Sequence, residues 1–173
     1  MGVIVLCASV LFCSAGNAQT SSEIEYELKA VYLLNFLRFT EWPNSAFDNE
    51  SSPIVLGVVG IDPFGSILDE TMHAEQVAGH PVVIKHFQSH DEISPCHVVF
   101  VSSSETERLR SVLKKVKGSL TVSDIDGFAQ LGGAIGFYVE NNKLRFEINL
   151  QALHETKAQV SSKLLRLAKI INP

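Results

Sequence analysis

His97–Val122 reads HVVFVSSSETERLRSVLKKVKGSLTV, and this stretch decides the fold. His97 to Val101 is a short apolar strand. Ser104 and Glu107 then stand three residues apart ahead of Leu109, Val112, Leu113 and Val116, which is a capping box followed by a buried helical stripe. Gly118 closes the helix, and Leu120 to Val122 is strand-like again. A strand, a helix and a second strand in so short a span predict neighbouring parallel strands with the helix crossing one face of the sheet.

The same alternation runs outward in both directions. Upstream, Ile24, Leu28, Val31, Tyr32, Phe36 and Phe39 follow helical spacing until Trp42-Pro43. Ile54 to Gly60 is then a strand, Phe64 to Met72 a helix and Pro81 to Phe87 a strand. Downstream, Asp124 is placed to cap a short helical turn through Phe128 to Leu131. Ala134 to Val139 and Leu144 to Leu150 form two strands joined by the turn Glu140-Asn141-Asn142-Lys143. Leu153, Val160, Leu164, Leu167 and Ile171 mark a long final helix. Short apolar strands separated by helices predict a single three-layer α/β/α domain with a largely parallel sheet, ending in a β-hairpin and that long helix.

Val3 to Phe12 is an apolar run too short to span a bilayer, and it is followed by small residues with Gly16 and Ala18 at its end. That layout predicts a signal peptide over residues 1–18, cleavage after Ala18 and an exported domain over residues 19–173. Two of the three cysteines fall in this segment. Cys96 is left without an internal disulfide partner, and its apolar surroundings predict burial. The net charge is −5, distributed unevenly: residues 1–95 carry three basic and twelve acidic side chains, the remainder eleven and seven. An acidic chain without a dense basic cluster is not one that binds nucleic acid.

Catalytic patterns are missing. Gly57, Gly60 and Gly65 match neither the dinucleotide fingerprint nor a phosphate-binding loop, and there is no nucleophile elbow. His86, His90, His97 and Cys96 have no familiar metal spacing, so neither a metal nor a cofactor is expected. Polar residues in apolar settings are more informative. Asn35 shares the helical stripe with Tyr32 and Phe36, as a satisfied core amide or a buried polar site. Arg145, Glu147 and Asn149 alternate with Leu144, Phe146 and Ile148, which turns them to one face of a strand as partner-binding candidates or as ordinary solvated side chains.

Three groups of motifs occur in order along nearly the whole exported chain. They are Ala30-Val31-Tyr32-Leu33-Leu34-Asn35-Phe36 with Thr40-Glu41-Trp42-Pro43, then Leu120-Thr121-Val122-Ser123-Asp124 with Gly127-Phe128-Ala129 and Gly132-Gly133-Ala134-Ile135. Asn141 to Asn149 and Ser161 to Ala168 complete them. Together they resemble the YfiR family. The resemblance implies a periplasmic α/β protein, not an enzyme, that binds the periplasmic sensor region of an inner-membrane diguanylate cyclase. Such binding represses the cyclase and so controls cyclic di-GMP and biofilm formation. Some members carry cysteine pairs, which this exported chain lacks. A homodimer is open. The Leu120–Leu150 region also looks somewhat like a lobe of periplasmic solute-binding proteins, which leaves a second reading: a small-molecule sensor subunit for a histidine kinase or another receptor.

Overall fold

The computed structural model describes residues 21–172; the expected signal peptide over 1–18 lies outside them. In chain order the elements are α1 (Ser21–Arg38), β1 (Thr40–Glu41), β2 (Ile54–Val59), α2 (Ser66–Met72), β3 (Gln76–Val77), β4 (His80–Phe87) and β5 (Val98–Val101). There follow α3 (Leu109–Lys115), β6 (Leu120–Ser123), β7 (Ile135–Glu140), β8 (Lys143–Asn149), α4 (Leu150–His154), β9 (Gln159–Val160), α5 (Ser162–Leu165) and β10 (Lys169–Ile171). Eight strands form one sheet in the order β10-β8-β7-β6-β5-β2-β4-β3. Strands β4, β2, β5, β6 and β7 run parallel, whereas β7 and β8 pair antiparallel.

Alternate residues of the central strands serve two cores, because strand side chains point to opposite faces. Leu56, Val58, Val98, Phe100, Leu120 and Val122 pack with α1 and α2, while Val59, Val99 and Val101 pack with Leu109 and Val112 of α3 and with Val116 just beyond its end. Both faces are covered, so the strands are nearly continuous apolar runs, as in the expected α/β domain. Phe36 of α1 anchors the larger core. Its ring lies 5.7 Å from that of Phe137 and 5.1 Å from that of Phe146. Full burial of such a side chain stabilises by roughly 1.5–3 kcal/mol.

Three local expectations are corrected. First, Ser104 does not cap the α3 region. Ser102 does, accepting from Ser104 N, while Ser104 Oγ accepts from Ile61 N at 2.9 Å and ties the β2 loop to this turn. Second, Asp124 caps no helix: residues 125–132 are a run of bends and turns, and its carboxylate is engaged by α1. Third, the long final helix is absent. Thr156 Oγ1 donates to Leu153 O and accepts from Ala158 N, which ends the chain's helical course after α4, and Ser161 caps α5 afresh. The intervening residues find strand partners, Val160 with Thr40 and Ile170 with Ile148. Helical spacing of apolar residues cannot register such pairing, because the partners lie far away in the chain.

The hairpin turn is where it was expected. Asn141 and Asn142 have φ of 51° and 57°, the paired left-handed geometry that a two-residue hairpin turn needs and that asparagine tolerates.

Candidate partner interface

On β8, Arg145, Glu147 and Asn149 do share one face, but only Arg145 is exposed. The outward exposure expected for Glu147 and Asn149 is corrected: they are 6% and 2% exposed. The turns after β6 cover them. Gly133 lets this cover lie close, because a Cβ at that position would run into the Phe128 ring.

Each buried residue has internal work. Asn149 Nδ2 donates to Ala129 O at 2.7 Å, and its Oδ1 accepts from Ala152 N to cap α4. Glu147 lies 3.4 Å from Lys169 Nζ, across the β8–β10 pairing. Beyond the cover the face opens. Tyr138 stands opposite Arg145 in the hairpin register, and Lys169 Nζ sits 5.3 Å from the Tyr138 ring centroid. Tyr138, Arg145 and Lys169 therefore make a basic, partly aromatic patch on the sheet face away from α1.

Asn35 is half-buried rather than enclosed. It lies on the outer side of α1 with Ile24, Leu28 and Val31, so the expectation of a core amide is corrected. The buried polar residue of this helix is Lys29, 3% exposed, which periodicity did not single out. Its Nζ contacts Asp124 Oδ2 at 2.7 Å and Glu25 Oε1 at 2.6 Å, and Tyr26 donates to the same Asp124 oxygen. Burial alone would lower the lysine's pKa, but these hydrogen bonds and the Asp124 charge outweigh it and hold the ammonium form above its usual range.

Two cavities adjoin at Val116–Ser119. One, of about 410 Å³, opens among Arg110, Lys114, Lys117, Leu131 and Gln151; the other, of about 330 Å³, lies among Trp42, Cys96, His97, Lys115 and Lys157. His97 is a fixed strut beside the second. Its Nδ1 accepts from Val55 N at 3.0 Å and its Nε2 donates to Ala46 O at 3.1 Å, so both nitrogens are engaged only in the neutral ring. Burial, followed by the neighbouring His80, holds its pKa below the ordinary value even though the Ala46 bond opposes this. Burial likewise pushes the Cys96 thiol up to about 11, which leaves little reactive thiolate at neutral pH.

Among the described residues, histidine and cysteine do not converge into a metal site. His86 faces Asp62 and Asp69, His97 is engaged as described, and among the described residues no three His, Cys, Asp or Glu cluster as a metal would need. No helix of the described residues is long and apolar enough to cross a membrane.

The family model described as YfiR/HmsC-like matches residues 26–169. That span holds α1 from Tyr26 onward, every strand from β1 to β9, the covering turns and the patch of Tyr138, Arg145 and Lys169. No curated protein matches the chain.

Proposed function

The chain belongs to the YfiR/HmsC-like family, and from that premise we propose that it is a periplasmic regulatory protein of diguanylate cyclase signalling. It acts by binding, not by catalysis. On this reading residues 1–18 direct export and are removed after Ala18, and the folded domain binds the periplasmic sensor region of an inner-membrane cyclase. The bound complex favours the inactive cyclase and lowers cyclic di-GMP, and with it biofilm formation. Repression of this kind requires tighter binding to one cyclase conformation than to the other, because equal affinity shifts nothing.

The family match carries the proposal. The patch of Tyr138, Arg145 and Lys169 supports a place for the contact: tyrosine and arginine are enriched among residues that anchor interfaces, and the guanidinium makes paired bonds to carboxylates. Regulation through the thiol of Cys96 is disfavoured by its raised pKa. Deleting the gene in its native host raises cyclic di-GMP if the proposal holds, and N-terminal sequencing of the exported chain begins at Gln19. An unchanged cyclic di-GMP level with the cyclase expressed refutes repression.

The cavity of about 410 Å³ favours the second reading, a small-molecule sensor subunit, since ligand pockets are commonly ~300–1,000 Å³. A thermal shift with a periplasmic metabolite, lost on Leu131→Arg, would favour it over cyclase repression.

A further inference from the structure

Of the 14 lysines and arginines in the chain, Arg110, Lys114, Lys115, Lys117 and Lys157 gather around the two cavities that adjoin at Val116–Ser119. Arg110, Lys114 and Lys117 line the larger cavity, and Lys115, Lys117 and Lys157 line the smaller. Glu155 is the only carboxylate among them. The chain as a whole carries −5, so this local excess of positive charge runs against the overall balance.

These cations are also uncompensated. Lys29, Arg38 and Arg108 each hold a carboxylate, at 2.7, 2.7 and 2.9 Å. Among the described residues, Arg110, Lys114, Lys115 and Lys157 have no such partner, and Lys117 stands 3.9 Å from Glu155 with both side chains largely exposed. A helix dipole does not account for the set. It favours Lys114 and Lys115 in the last turn of α3, but Arg110 stands in the first turn, where the opposite sign is favoured, and Lys117 and Lys157 lie outside the helix.

The polar groups left without a partner in the larger cavity select the charge of a ligand. Thr121 Oγ1 accepts from Ala134 N, and Ser119 Oγ donates to Cys96 O. Asn149 is held by Ala129 O and Ala152 N, and Thr156 Oγ1 by Leu153 O and Ala158 N. Gln151 aside, the side chains open to a ligand are then Arg110, Lys114 and Lys117, with Leu113, Ala152 and the 60% exposed Leu131 as an apolar wall. An uncharged ligand finds few partners here, and an anion finds three. Three positive charges less the one of Glu155 leave two. A carboxylate or a phosphodiester carries a single negative charge, whereas a phosphate monoester carries about −1.5 to −2 at neutral pH on three acceptor oxygens.

We propose that the cavity of about 410 Å³ binds a small phosphate monoester, with its oxygens on Arg110, Lys114 and Lys117 and its organic part against Leu113, Leu131 and Ala152. The arginine fork matches two phosphate oxygens, and each lysine adds a point charge. A volume of this size suits a small organic molecule rather than a bare ion. Lys115 and Lys157 extend the positive field and steer anions toward the site. The inference rests on the small-molecule sensor reading and names the class of its ligand.

The test is calorimetric titration of the exported chain, residues 19–173, with n-butyl phosphate, inorganic phosphate, dimethyl phosphate and phosphatidylglycerol vesicles. Butyl phosphate is expected to bind most tightly, with dimethyl phosphate about tenfold weaker or more because it lacks the second charge. Arg110→Gln combined with Lys114→Gln weakens butyl phosphate binding by about tenfold or more, as for loss of a hydrogen bond to a charged group, with the melting midpoint preserved at these exposed positions. Glu155→Gln strengthens it, a gain that damage to the fold does not produce. Amide shifts on binding are expected at Gly118, Ser119 and Gln151. Equal affinity for monoester and diester, unchanged affinity in the double variant, or shifts confined to Trp42 and Ser45 overturns the proposal. So does binding to vesicles alone, which assigns these cations to a membrane surface. A thermal shift with an uncharged metabolite, lost on Leu131→Arg, overturns the phosphate class but keeps the sensor reading, whereas no stabilisation by any probe or metabolite overturns both.

Discussion

Lys29 Nζ stands 2.7 Å from Asp124 Oδ2, joining the first helix to the end of β6 across 95 residues of chain. This contact sets the roll of α1 and so decides which apolar residues face the sheet. The pair has little exposure, 4% and 11% for the two side chains. Removing one partner leaves a buried charge uncompensated. Lys29→Met leaves the Asp124 carboxylate with the Tyr26 hydroxyl alone and is expected to destabilise the domain by roughly 3–5 kcal/mol, whereas the double variant Lys29→Met, Asp124→Leu is expected to cost far less, because neither charge is then left buried. Urea unfolding of the single and double variants checks the order. The raised lysine pKa adds a sign: the stability linked to the Lys29 ammonium is complete below the ordinary 10.5 and is lost as pH rises through the higher folded-state value.

Gly133 allows the Phe128 ring to lie against its Cα. Gly133→Ala forces that ring aside and loosens the cover over Glu147 and Asn149. A loss of roughly 1–3 kcal/mol is expected, the usual range for overpacking. Faster hydrogen exchange at Asn149 N, which donates to Ala134 O, is the local readout.

His97 makes stability depend on pH. Its folded-state pKa lies below the ordinary 6.5, so its contribution is present above that value and lost as pH falls through the folded-state pKa. Protonated Nδ1 no longer accepts from Val55 N. The urea midpoint is expected to fall between neutral pH and pH 5, and the fall is expected to be shallower in His97→Gln. Equal slopes in the two proteins would refute the assignment.

Neighbouring residues of β8 are expected to separate binding from folding. Arg145→Ala, at an exposed position, changes stability by less than ~0.5 kcal/mol and weakens cyclase binding by more than ~1 kcal/mol. Phe146→Ala opens the cluster with Tyr32 and Phe36 and costs roughly 3–5 kcal/mol. Asn149→Ala removes the α4 cap, about 1 kcal/mol, and also takes the shorter of two hydrogen bonds from the buried Ala129 carbonyl, which keeps Gly132 N at 3.3 Å. Melting curves and cyclase titrations on the three proteins provide the comparison. Normal binding by Arg145→Ala would place the contact elsewhere.

The strand–helix–strand reading of His97–Val122, the parallel sheet and the Asn141-Asn142 hairpin were legible in the sequence because each depends on local periodicity or on the backbone preference of one or two residues. The order of motifs from Ala30 to Ala168 carried the family for the same reason: it is a property of the chain read in line. Other features depended on groups distant in sequence. Helical spacing offered α1 two apolar faces and had no means of choosing; Asp124 chose, by drawing Lys29 inward. Alternation assigned Glu147 and Asn149 to the face of Arg145, but only the fold laid Phe128 and Ala129 over two of the three. The final segment was written with helical spacing and became α4, β9, α5 and β10, since Thr40 and Ile148 offered backbone partners that no reading of local periodicity could supply.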